Sequence, residues 1–145
     1  MMQNKAPLAL IELTVMILIF SVAAALCLQA FAWSDLTSAQ IQKQDKAMLQ
    51  AETAAEVVKG CGGDFAEAAE LLYGQCLDGG DGLTVYFDRD WLPAGGEDSA
   101  YRLDAVRKES GNVMLGEAEI TVWDQDGTCM FQLPVCWQEV KTDGE

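Results

Sequence analysis

The first third of the chain constrains what the rest can be. Residues 7–31, PLALIELTVMILIFSVAAALCLQAF, are apolar almost throughout, and no charged residue falls between Leu13 and Leu28. A helix crosses the roughly 30 Å of bilayer hydrocarbon in about 20 apolar residues, each rising about 1.5 Å. The stretch from Leu8 to Phe31 is therefore long enough for a membrane span. One carboxylate, Glu12, interrupts the run near its start. A carboxylate in hydrocarbon costs at least about 2–3 kcal/mol, so it must lie near the interface, be protonated or meet an ionic partner. The plain reading is an interfacial acid at a helix start, favoured by the helix dipole. A signal peptide is a second reading of the same run. The run is too long for one, and its small-residue triplet, Ala23, Ala24 and Ala25, lies inside the apolar stretch.

The formal net charge is −14 over 145 residues, and only Lys5 and Glu12 are charged before Trp33. The chain thus reads as one membrane segment plus one small acidic domain. Such a domain has nothing to neutralise phosphates and is repelled by an anionic membrane surface, so nucleic acid is not an expected partner. Lys5 and the amino terminus favour a cytoplasmic amino end and an extracytoplasmic domain. Histidine is absent, which rules out Ser-His and Cys-His nucleophile pairs. There is no phosphate-cradling glycine loop and no metal motif. The expectation is a non-enzyme without a cofactor.

Cys27 lies in the apolar run, where it serves as a small filler. The other four cysteines, Cys61, Cys76, Cys129 and Cys136, form an even set in a domain expected outside the cytoplasm and suggest two disulfides. Three pairings are open, of which Cys61–Cys76 with Cys129–Cys136 is the most local. Zinc is a weaker alternative, because there is no histidine and no C-x-x-C spacing. Asp78, Asp81, Asp124 and Asp126 sit in glycine-rich turns that suit either calcium or plain turns. Neither stretch has the spacing of a calcium loop, and plain turns are the expectation. Trp33, Trp91, Trp123 and Trp137 suit a sugar-binding face or, as expected here, core packing and, for Trp33, an interface anchor.

No Gly or Pro occurs from Leu8 to Lys59, and the second half is rich in Ala, Gln, Lys and Glu. Ile41, Met48, Ala51, Ala55 and Val58 recur at helical steps, with Ala47 and Ala54 beside them, as one apolar stripe. This predicts one helix of about 50 residues over 8–59; two helices broken near Trp33, Ser34 and Asp35 are the alternative. Gly60, Gly62 and Gly63 end the helix, and Asp64 caps a short helix over 65–73. Period-two patterning then predicts strands over 83–87, 100–107, 113–123 and 128–140, the last interrupted by Pro134. The fold class is α+β, a long amino-terminal helix packed on a four-stranded antiparallel sheet. The segments are 1–7 as a stub, 8–31 as the membrane half of the helix, 32–59 as its amphipathic half, 60–82 as the connection and 83–145 as the sheet domain.

Leu8-Ala9-Leu10-Ile11-Glu12-Leu13-Thr14-Val15 resembles the amino-terminal motif of type IV pilins and of the pseudopilins of type II secretion. In that motif a short polar leader and a processing site precede two variable residues, Leu-Ile-Glu and an uninterrupted apolar helix. The resemblance implies that Glu12 neutralises the amino terminus of a neighbouring subunit during filament assembly. It also implies other pilin or pseudopilin subunits as partners, a prepilin peptidase, methylation of the new amine, and an inner-membrane assembly machine with a separate ATPase. In this register the processing site is Ala6, Pro7 and Leu8, and the bond to be cut is Pro7–Leu8. The family's leader usually ends in Gly or Ala, so Pro7 is a departure that tilts the reading towards a minor subunit. The alternative is a single-pass anchored envelope protein whose acidic domain binds a partner without polymerising. The role of the filament (secretion, DNA uptake, adhesion or motility) is left open.

Overall fold

The computed structural model describes residues 6–139. Helix α1 runs without interruption over Ala6–Gly60, 55 residues. It is followed by α2 (Phe65–Leu71) and by strands β1 (Gln75–Cys76), β2 (Gly82–Phe87), β3 (Tyr101–Lys108), β4 (Leu115–Asp124) and β5 (Cys129–Gln138). The strands form one antiparallel meander in chain order. The chain divides into two compact units at Gln42 and Lys43.

The expected class holds: α+β, with a long amino-terminal helix packed on an antiparallel sheet. The sheet has five strands, the extra one being the two-residue β1 beside β2. So short a strand has no period to read. Pro134 does not interrupt β5: it stands within the ladder opposite Glu119, on an edge strand, where a missing N–H is tolerated. The expected end of that strand at Val140 lies outside the described residues, as do Lys5 and the rest of the stub before Ala6. The apolar stripe of α1 begins later than its periodicity implied. Ala47, Ala51, Ala54, Ala55 and Val58 are buried, whereas Ile41 and Met48 are 51% and 43% exposed.

Packing explains the alanines. Ala47, Ala51, Ala54, Ala55 and Val58 of α1 share one buried cluster with the inward faces of the sheet, where Leu83, Val85, Leu103, Ile120 and Val122 supply the volume. Phe65 of α2 and Trp137 of β5 close one end, their rings meeting edge to face at 6.1 Å. Trp91 and Tyr101 stack at 4.1 Å at another part of the core. Trp137 also dictates two glycines, because a Cβ at Gly63 or Gly116 would overlap its indole. Gly63 is doubly constrained, since its φ of +86° is also disfavoured for L side chains. Asp64 caps α2 as expected, its carboxylate accepting from the N–H groups of Ala66 and Glu67.

Arg107 extends the inward series Tyr101, Leu103, Ala105 on β3 and faces the same side as the core. Its guanidinium donates to Glu139 at 2.6 Å and to the Gly63 carbonyl at 2.9 Å. It also lies 5.6 Å from the centroids of both Phe65 and Trp137. One side chain thereby joins the loop after α1, helix α2 and the ends of β3 and β5. Arg102 is different: it pairs with Asp104 across the outer surface with its own side chain 48% exposed, a class of ion pair worth little. Arg107→Ala is therefore expected to destabilise the domain by about 1–3 kcal/mol, and Arg102→Ala by less than about 1 kcal/mol, in urea unfolding followed by circular dichroism. Gly116→Ala is expected to cost about 1–3 kcal/mol by overpacking against Trp137 in the same assay.

Candidate functional site

From Leu8 to Trp33, α1 leaves its large apolar side chains exposed, among them Leu8 at 71%, Phe20 at 75% and Trp33 at 75%. The helix is long and apolar enough to cross a membrane. Contiguous apolar surface on that scale exceeds what a soluble monomer usually leaves open and is compatible with a membrane anchor. The Thr14 and Ser21 hydroxyls donate to the carbonyls of Leu10 and Ile17, each at 2.8 Å, as Thr53 does to Leu49 in the second half of the helix. Ala23, Ala24 and Ala25 make one short stretch where another backbone can come close.

Glu12 is exposed in this apolar helix. Among the described residues the ion pairs are Arg102–Asp104, Arg107–Glu139 and Lys108–Glu119, none of which involves Glu12. The first turn of α1 holds no acidic residue. Glu12 thus stands about 9 Å along the axis from Ala6 at 1.5 Å per residue, beyond the first turn in which the helix dipole acts. An acid in an apolar helix needs an interface, a proton or an ionic partner. Ala6, Pro7 and Leu8 all lie in the first turn of α1, where Pro7 forgoes no intrahelical donor.

The cysteines do not form the expected two bridges within one chain. Cys129 and Cys136 lie on the same strand, so at about 3.3 Å per residue their Cα atoms are roughly 20 Å apart, far outside disulfide reach. Cys76 is on β1 and the β5 cysteines are on the opposite edge of the sheet, four strand spacings or roughly 19 Å away. Each of the three pairings contains one of these impossible bridges. All five thiols are free. The expectation failed because local spacing in sequence was read as proximity, while an extended strand separates its own residues.

Cys61 packs against the core. Burial, followed by the nearby carboxylates of Glu67 and Asp64, pushes its thiol above the ordinary value. The four aspartates do not converge: Asp78 and Asp81 belong to the turn before β2, and Asp124 and Asp126 to the β4–β5 turn, where the Asp124 carboxylate accepts from the Gln125 N–H at 2.7 Å. Among the described residues no three metal-ligating side chains gather. Trp91 and Trp137 are buried, and Trp123 is half-buried with the Arg102 guanidinium over its ring at 5.8 Å. Arg107 is the organising residue that the sequence reading passed over; its inward phase on β3 was the available signal. No protein-family model, curated protein or solved structure matches the chain.

A raised thiol pKa favours the neutral, unreactive form. Iodoacetamide at neutral pH is therefore expected to label exposed Cys76, Cys129 and Cys136 faster than Cys61, as read by peptide mass spectrometry; equal rates contradict this. The sign of the linkage follows. Stability from the neutral Cys61 thiol is present below the ordinary thiol pKa and lost as pH rises through the raised folded value. Wild-type stability should then fall more steeply than that of Cys61→Ser as pH rises from the ordinary thiol pKa through the raised folded one, and the two should run parallel above it.

Proposed function

We propose that this chain is a pilin-like or pseudopilin-like subunit, of the minor kind, in a filament of the type IV pilus or type II secretion class. The observation that carries the reading is one helix with two solvents. Its first half exposes an apolar surface bearing a single carboxylate beyond the first turn, and its last turns supply the alanine face of a sheet domain. An apolar helix of this kind is accommodated by lipid before assembly and by copies of itself afterwards. Its sole carboxylate then selects an amine as its complement. A chain cut at Pro7–Leu8 would carry its new amine one turn before Glu12, at the i, i+4 spacing at which side chains meet. In a neighbouring copy the same amine supplies the intersubunit partner.

On this reading the amino end is cytoplasmic and the acidic domain lies outside. The protein acts without catalysis or a cofactor. A prepilin peptidase and a membrane assembly machine handle it, and it associates with other subunits through residues 8–31. Pro7, standing where the leader usually ends in Gly or Ala, supports a minor role over that of the bulk subunit.

Glu12 tests the reading against a plain anchor. With Glu12→Leu, membrane insertion should be unchanged, while incorporation into sheared filaments from native cells should drop more than about tenfold. Breaking a buried ion pair costs about 3–5 kcal/mol, well above the 1.4 kcal/mol that a factor of ten requires. Wild-type incorporation of Glu12→Leu would instead identify a non-polymerising anchored protein.

A further inference from the structure

Strand β5 is the long open edge of the sheet. Among the described residues it pairs only with β4, and its ten residues, CMFQLPVCWQ, carry no charge in a chain of net charge −14. Edges are usually guarded by charged side chains, by Pro or by bulges. Here Pro134 and an irregularity opposite Val122 and Trp123 are the guards. Cys129, Gln132, Pro134 and Cys136 are exposed along it. Trp123 is paired with Cys129 and Val122 with Phe131, so Met130 is the extra residue. That bulge shifts the alternation and places Cys129 and Cys136 on the same, outer face of the sheet.

We propose that β5 pairs antiparallel with β5 of a second copy, and that Cys129 of each chain is joined to Cys136 of the other by a disulfide. Self-pairing about a two-fold axis must place residues of the same face opposite one another. Centring the pair on Leu133 does so. Val135 then opposes Phe131 of the second copy and Pro134 opposes Gln132. Once Met130 is passed over, Cys136 opposes Cys129. Opposed residues in an antiparallel pair have Cα atoms about 4.5–5.5 Å apart, inside the disulfide range of about 4.4–6.8 Å. The occupant is a second copy because the strand is self-complementary in this register, bringing the two thiols opposite one another, and itself carries no charge. Pro134 removes a donor from each side of the new ladder, and Asp126 and Glu139 bring like charge to its ends. The reduced pair is therefore weak, and oxidation locks it.

The oxidant is a small-molecule disulfide such as oxidised glutathione. A thiolate at Cys136 attacks one of its sulfurs and releases one thiolate. The thiolate at Cys129 of the second copy then displaces the other. Each bridge converts two protein thiols and one disulfide into one protein disulfide and two small thiols, which take up the two protons. The proposal does not depend on filament assembly through α1.

The test uses the full chain in detergent micelles, oxidised with oxidised glutathione and run on non-reducing gels with peptide mapping. The expected product is a dimer reversed by dithiothreitol, with Cys129 linked to Cys136. Cys129→Ser or Cys136→Ser alone should each lose the dimer by more than tenfold, because in this register each removes both bridges. A one-to-one mixture of the two variants should restore a dimer holding a single bridge. Matching melting temperatures of the reduced variants would exclude misfolding as the cause of loss. A wild-type chain that stays monomeric, bridges joining Cys129 to Cys129 or Cys136 to Cys136, or variants that dimerise like wild type would each overturn the proposal.

Discussion

The structure depends on apolar surface that water cannot accommodate. Between Leu8 and Trp33 the helix presents side chains of Leu, Ile, Val, Met and Phe on every side, with its few hydroxyls returned to its own carbonyls. Each Å² of such surface left in water costs about 25 cal/mol, so the segment cannot persist as a soluble helix. Such a helix is compatible with a membrane anchor. Glu12 takes its meaning from that setting. On a polar surface it would be unremarked, but in an apolar helix it needs an interface, a proton or an ionic partner.

The domain is organised by a second and different constraint, the room left by alanine. Ala47, Ala51, Ala54 and Ala55 are nearly or fully buried in one cluster with the larger inward residues of the sheet. Where the sheet ends, bulk comes from Trp137, and glycines at 63 and 116 make way for it. Arg107 then lies against both Trp137 and Phe65 and bonds the Gly63 carbonyl. The strand β3 is thereby connected to the end of α1 through a charged residue in a place where alternation would put an apolar one.

Much of this was legible in the sequence because it rests on period and on breakers. The absence of Gly and Pro from Leu8 to Lys59 carried the long helix. Asp64 announced its cap, and alternation located four of the five strands to within a few residues. Three features were not legible. The strand β1, two residues long, is made by pairing with β2 and not by its own pattern. The buried part of the helix stripe begins at Ala47, while Ile41, which fits the same periodicity, is exposed. The cysteine geometry depends on strand order: spacing along the chain suggested Cys129 with Cys136, whereas extended backbone holds them apart and puts Cys76 on the far edge. For Glu12 the sequence supplied the residue and its apolar surroundings.

The central claim is that an apolar helix with one carboxylate is matured so that the carboxylate gains an amine. Intact mass and amino-terminal sequencing of the protein from native membranes test it most directly. The account predicts a mature chain beginning at Pro7 or Leu8, with a methylated amine. A chain that still begins at Met1 or Met2 would contradict it, leaving an anchored domain whose Glu12 has no such partner.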